Sequence, residues 1–177
     1  MGIERITLIS GARGQGKTTF LRAHLAAAAR DGCSVGGIAS PAVEENGERV
    51  GYDLVDLRSG ARRLLARMAP DAPREQTFGK GRFRFDPQAL VEGNEAIISA
   101  VADGMQMIAI DEVGPLEFSG GGWCRGLVYA LANGSPDQQL VVVVRPKLVD
   151  KLPGRFRSPA WVHARRIMPP WPAPGAA

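Results

Sequence analysis

Gly11-Ala12-Arg13-Gly14-Gln15-Gly16-Lys17-Thr18-Thr19 is the stretch that decides the reading of this chain. Three glycines, one lysine and two threonines stand between a short apolar run and a run of strong helix formers. Gly11 to Thr18 satisfies the pattern G-x-x-x-x-G-K-[ST]. Glycines reach backbone conformations closed to other residues, so consecutive N–H groups can turn inward onto phosphate oxygens. A helix beginning near Gly16 adds free amides and the positive end of its dipole. In such a loop the Lys17 ammonium reaches the β- and γ-phosphates and the Thr18 hydroxyl ligates Mg2+. Gly11, Ala12, Arg13, Gly14, Gln15, Gly16, Lys17, Thr18 and Thr19 are therefore the expected nucleotide contacts. No G-x-G-x-x-G can be written through Gly11, Gly14 and Gly16, which disfavours a dinucleotide fold.

Outward from this loop the pattern is strand, glycine turn, helix. Ile3 to Ser10 is apolar and β-branched, and TTFLRAHLAAAAR runs as a helix to Asp31-Gly32. VGGIAS reads as a second strand, and VEENGERVGYDLVDL as a hairpin turning on Asn46-Gly47. RRLLARM is a strand or a short helix. Residues 69–85, rich in proline and glycine and then basic and aromatic, are expected to form a mobile loop. Asp86-Pro87 opens a helix through QALVEGNEAIISAVAD, with Asp86 capping free amides. MQMIAIDE and QQLVVVVR are continuous apolar runs, as in buried parallel strands. WCRGLVYALANG between them is a helix, PKLVDKL a short helix and AWVHARRIM a polar edge strand. Strands alternating with helices predict a three-layer α/β fold with a mostly parallel sheet and an added β-hairpin. Residues 1–168 form one expected domain, and the proline-rich residues 169–177 an expected disordered tail.

A chain of 177 residues, 45% hydrophobic and 23% charged, is large enough to bury one core. No apolar run approaches the roughly 18 residues of a membrane span, and Glu4 and Arg5 interrupt the place where a signal peptide would be apolar. Cys33 and Cys124 lack partners at metal spacing, so a reducing cytoplasm is the expected compartment. The net charge is +4, with the excess concentrated between Arg145 and Arg166. That segment reads as a solvated basic face, or as an attraction for polyphosphate, nucleic acid or another acidic partner. A monomer is the default expectation.

A phosphate loop requires an acidic partner on a buried strand. In MIAIDE four apolar residues cross the core and Asp111 emerges at the strand end, where it can hold Mg2+ opposite Thr18. Glu112 follows, placed to polarise the attacking water as general base. The long separation of Lys17 from Asp111 favours a sheet in which another strand lies between theirs. Arg145 ends the VVVV run, beside a γ-phosphate if that strand neighbours the Asp111 strand, and is a candidate for stabilising transition-state charge.

Together these motifs resemble the small cancer-related, thermophilic-type nucleoside-triphosphatase family over roughly residues 4–167. Beyond the first loop the similarity runs through GGIASPAVEENGERVGYDLVDL, GKGRFRFDPQAL and IDEVGPLEF. The resemblance implies a RecA-like P-loop fold and slow, Mg2+-dependent hydrolysis of ATP, GTP and other NTPs to NDP and phosphate. By position it implies phosphate binding by Gly11 to Thr18, metal binding by Asp111 and water activation by Glu112. Glu117 fits the last acidic position of the motif. Ala42 and Glu44 stand where the family tends to have an acidic residue and an arginine, and Ile38-Ala39 replaces a more aromatic pair.

Two other readings share the loop. A small-molecule kinase would use residues 69–85, with Lys80, Arg82 and Arg84, as an acceptor lid. An ATP-controlled binding module would use the basic 145–166 segment on nucleic acid or protein. Asp111-Glu-Val-Gly114 also fits D-x-x-G, but the N-K-x-D of guanine selection is absent. His24, His163, Trp123 and Tyr129 read as structural.

Overall fold

A computed structural model describes residues 5–69, 77–78 and 81–173. In chain order the elements are β1 (Ile6–Ser10), α1 (Lys17–Arg30), β2 (Val35–Ala39), β3 (Ala42–Glu45), β4 (Glu48–Asp56) and β5 (Arg62–Met68). Then come β6 (Thr77–Phe78), β7 (Gly81–Phe85), α2 (Pro87–Ala102), β8 (Met107–Val113), α3 (Pro115–Phe118) and α4 (Cys124–Asn133). The chain closes with β9 (Gln139–Val144), the single turns α5 (Pro146–Val149) and α6 (Leu152–Arg155), a 3₁₀ turn (Pro159–His163) and β10 (Arg165–Ile167).

The strands form one sheet in the order β10-β1-β9-β8-β2-β4-β5-β7-β6, with β3 paired to β4. From β10 to β2 every pairing is parallel; β4, β5, β7 and β6 continue it antiparallel. β9 lies between β1 and β8, so a strand does separate the loop strand from the acidic strand.

Both faces of the parallel part are covered, which is why its strands are apolar without a break. Alternate residues divide between two cores. Leu140, Val142 and Val144 of β9 join Ile108 and Ile110 under α2 and α4, with Ile97 and Leu127. Val141 and Val143 join Ala109 and Ile9 under α1, with Phe20, Leu21 and Leu25. α1, the sheet and the α2–α4 pair are thus the three layers. His24 is buried against Phe20 at 6.0 Å, and burial beside Arg165 lowers its pKa, consistent with a packed neutral ring.

Local signals held where they were strong. Asn46 and Gly47 take φ of 51° and 79°, the primed turn expected between β3 and β4. Asp86 caps α2, its Oδ1 accepting from the Gln88 and Ala89 amides at 2.8 and 3.3 Å. RRLLARM is the strand β5, because β4 and β7 pair with its two edges.

Three expectations are corrected. The segment 69–85 is not simply a mobile loop: residues 70–76 and 79–80 lie outside the described residues, but Gly81–Phe85 pairs with β5 and Phe83 is buried. Arg-Phe alternation carries that strand, with Phe83 inward and Arg84 outward. AWVHARRIM divides into the 3₁₀ turn and a three-residue strand, since Trp161 is drawn into the core. The expected disordered tail begins with an ordered piece: Trp171 stacks on Phe20 with centroids 5.0 Å apart. Residues 174–177 lie outside the described residues.

Candidate active site

The C-terminal ends of β1, β9, β8 and β2 open on one side of the sheet, the edge where open α/β sheets place their ligands. After β1 the chain turns through Gly11 to Gly16 and enters α1 at Lys17. Gly14 and Gly16 have φ of 80° and 75°, in the left-handed region where a side chain would strain the loop. Gly16 precedes the helix with no side-chain cap, leaving the first amides of α1 to an outside acceptor. The Lys17 ammonium folds back over the loop and donates to Ala12 O at 3.2 Å.

Asp111 lies at the end of β8 and is 1% exposed. Its Oδ2 accepts the Ser40 amide at 3.1 Å, while the Ser40 hydroxyl donates to Asp111 O. Thr18 hydrogen-bonds to the same carboxyl, and Lys17 contributes its charge. Burial outweighs these partners and, with Glu112 adding repulsion, pushes the Asp111 pKa up to about 7. Asp111 and Thr18 are hard oxygen donors in contact with each other, a set that suits a divalent cation.

Glu112 is partly exposed and pairs with Arg145, Nε to Oε1 at 3.2 Å. Arg145 caps the end of β9, so neighbouring strands bring the two together. Glu117 is buried, 1% exposed, in the wall of the same cavity. Its carboxylate accepts the Gly114 amide at 2.7 Å and the Trp123 amide at 3.0 Å, fixing the turn that follows β8. Burial drives its pKa up to about 7, against the pull of these amides.

These groups share a cavity of about 1260 Å³. Every residue from Gly11 to Thr19 lines it except Gln15, which turns its side-chain oxygen back onto the Ala12 amide at 2.6 Å. Asp111, Glu112 and Arg145 line it as well, so the residues named from sequence converge. Sequence reasoning missed Ser40, Arg49 and Tyr52. Ser40 had a usable signal, a polar residue at the end of a buried parallel strand. Arg49 and Tyr52 reach the site only because β4 joins the sheet beside β2. Lys147 and Lys151, read as part of a basic face, line the cavity too. Of the departures noted, Ala42 and Glu44 line it, whereas Ile38 and Ala39 are core residues.

A family model described as NTPase matches residues 6–163. The nucleoside-triphosphatase THEP1 of Archaeoglobus fulgidus is 32% identical over 155 residues, covering 84% of this chain and 84% of that protein. The protein of the same name from Methanothermobacter thermautotrophicus is 33% identical, covering 84% and 80%. The solution structure of a human cancer-related nucleoside triphosphatase superposes with a TM-score of 0.66 at 21% identity, covering 92% of this chain and 88% of that one. The crystal structure of THEP1 from Aquifex aeolicus gives 0.65 at 19% identity, with the same coverages. These two share the fold.

Proposed function

The chain belongs to this nucleoside-triphosphatase family, and from that premise we propose that it hydrolyses ATP, GTP and other nucleoside triphosphates to the diphosphate and phosphate at the cavity above the sheet. One observation carries the proposal: Lys17 and Thr18 of the glycine loop and Asp111 and Glu112 of β8 line a single cavity, with Thr18 in contact with Asp111.

The loop amides from Gly14 to Thr19 hold the β- and γ-phosphates, and Lys17 leaves Ala12 O to balance their charge. Thr18 and Asp111 would hold magnesium, which when bound would offset phosphate charge. Ser40 fixes the Asp111 carboxyl from the neighbouring strand. Glu112 takes a proton from water as the water oxygen bonds to the γ-phosphorus. The bond from that phosphorus to the bridging oxygen breaks, and the diphosphate leaves with the electron pair. Arg145 supplies a fixed positive group beside the reacting oxygens, where hydrogen bonds to developing charge are most effective.

Lys147 and Lys151 add positive charge at the mouth, so part of the basic segment serves the triphosphate. Arg166 is taken up by Asp150 at 2.6 Å, which weakens the case for a separate acidic partner. No helix among the described residues is long and apolar enough to cross a membrane. Cys33 and Cys124 are free thiols, which suits a reducing cytoplasm. The test is phosphate release from ATP and GTP with magnesium, with Lys17→Ala as the comparison. Release by the wild type alone supports the proposal; equal release by both proteins rejects it.

A further inference from the structure

Trp171 lies beyond residue 163, where the match to the family model ends. Its indole rests flat on Phe20 of α1, with centroids 5.0 Å apart and 14° between the planes. The ring edge closes on the phosphate loop, since a Cβ on Gly11 would stand 3.2 Å from Trp171 Cη2. Its Nε1–H donates to Gln15 O at 2.7 Å. An exposed loop carbonyl is thus held by a side chain from the far end of the chain.

The consequence follows from one peptide plane. In a trans peptide the carbonyl of one residue and the N–H of the next point to opposite sides, and the Gln15–Gly16 bond is not among the cis bonds. With the Gln15 carbonyl held on the indole, the Gly16 N–H is turned the other way. Gly16 lines the cavity and Gln15 does not. The Gln15 side chain strengthens the arrangement, because its Oε1 accepts the Ala12 amide at 2.6 Å and its own amide donates to Ala12 O at 3.3 Å. Without the indole this peptide is free to flip, and a flip would aim a carbonyl oxygen at the phosphates.

We propose that Trp171 is a positioning residue of the phosphate site, holding the Gln15–Gly16 peptide so that the Gly16 N–H faces a bound polyphosphate. The inference rests on the proposed reading of residues 11–19 as the phosphate loop. It places Trp171 behind the loop and assigns it no contact with the base.

The experiment titrates ATP and inorganic tripolyphosphate, each with magnesium, into the wild type, Trp171→Phe, Trp171→Ala and Lys17→Ala, with melting temperatures recorded for each. Phenylalanine keeps the ring on Phe20 and removes the N–H. Trp171→Phe is expected to bind both ligands about fivefold more weakly, the loss of one neutral hydrogen bond, while melting close to the wild type. Trp171→Ala is expected to lose at least as much affinity for both. Unchanged tripolyphosphate affinity in Trp171→Phe overturns the inference, including when ATP alone is weakened, since that result would make Trp171 a base contact. If Lys17→Ala still binds tripolyphosphate as the wild type does, or the wild type does not bind it, the loop reading itself fails. A measurement on the unaltered protein guards against a variant that does not fold. The Trp171 indole N–H resonance is expected to move on adding tripolyphosphate and to stay in place with adenosine. The opposite pattern, or no movement with either, contradicts the inference.

Discussion

Arg145 Nε stands 3.2 Å from Glu112 Oε1, joining the ends of two adjacent parallel strands across the mouth of the cavity. The carboxylate proposed to receive the proton of water is therefore oriented before a nucleotide arrives. Glu112→Gln keeps the shape and removes the basic oxygen. It is expected to lower kcat by about 10²- to 10⁴-fold, the usual range for a general base, with nucleotide affinity within about threefold of the wild type. Phosphate release and equilibrium titration of the same preparation check both halves. Undiminished turnover would remove Glu112 from the mechanism.

For Arg145 the stability and activity effects should separate. A partly exposed ion pair contributes about 0–1 kcal/mol, so Arg145→Ala should unfold in urea almost where the wild type does. Its kcat should fall by about 10²- to 10³-fold, as for the loss of one donor aimed at developing charge. A rise in KM alone, with kcat preserved, would assign Arg145 to binding instead.

Glu117 makes a pH-dependent contribution to stability. The folded protein keeps its carboxyl proton up to about pH 7, whereas the unfolded chain releases it near the ordinary value of 4.5. Between these values the folded state binds more protons. The stabilisation is full below pH 4.5 and is lost as pH rises to about 7, by up to about 3 kcal/mol. Glu117→Gln should flatten this part of the profile, measured by urea unfolding at pH 5 and pH 8 without metal or nucleotide. An identical slope in the variant would show that Glu117 does not carry it.

Gly93 tests the packing behind the site. A Cβ there would stand 2.3 Å from Trp123 Cζ3, and Trp123 is buried against α2. Alanine gains about 1 kcal/mol of helix propensity, but the indole cannot retreat within a filled core. Gly93→Ala should be destabilising by about 1–3 kcal/mol in urea unfolding. An equally stable variant would mean that α2 and α4 separate more readily than their contact suggests.

Much of the candidate site was legible because its signals are local. The glycine loop carries its own backbone conformation, and MIAIDE announces a buried strand ending in carboxylates. Asn46-Gly47 and Asp86-Pro87 mark a turn and a helix start by their own chemistry. What the sequence hid depends on neighbours distant along the chain. Ser40 meets Asp111 only because β2 lies beside β8. Phe83 is buried because β5 offers an edge for its strand. Trp171 sits in a proline-rich stretch whose composition argues for disorder, yet one aromatic ring and one N–H are enough to fasten it to Phe20 and Gln15.

The most direct measurement is a crystal structure of Glu112→Gln with ATP and magnesium. The triphosphate should lie along Gly14 to Thr19, with Lys17 on the γ-phosphate and the metal between Thr18 and Asp111. A nucleotide bound elsewhere, or a metal with neither residue in its shell, would contradict the account.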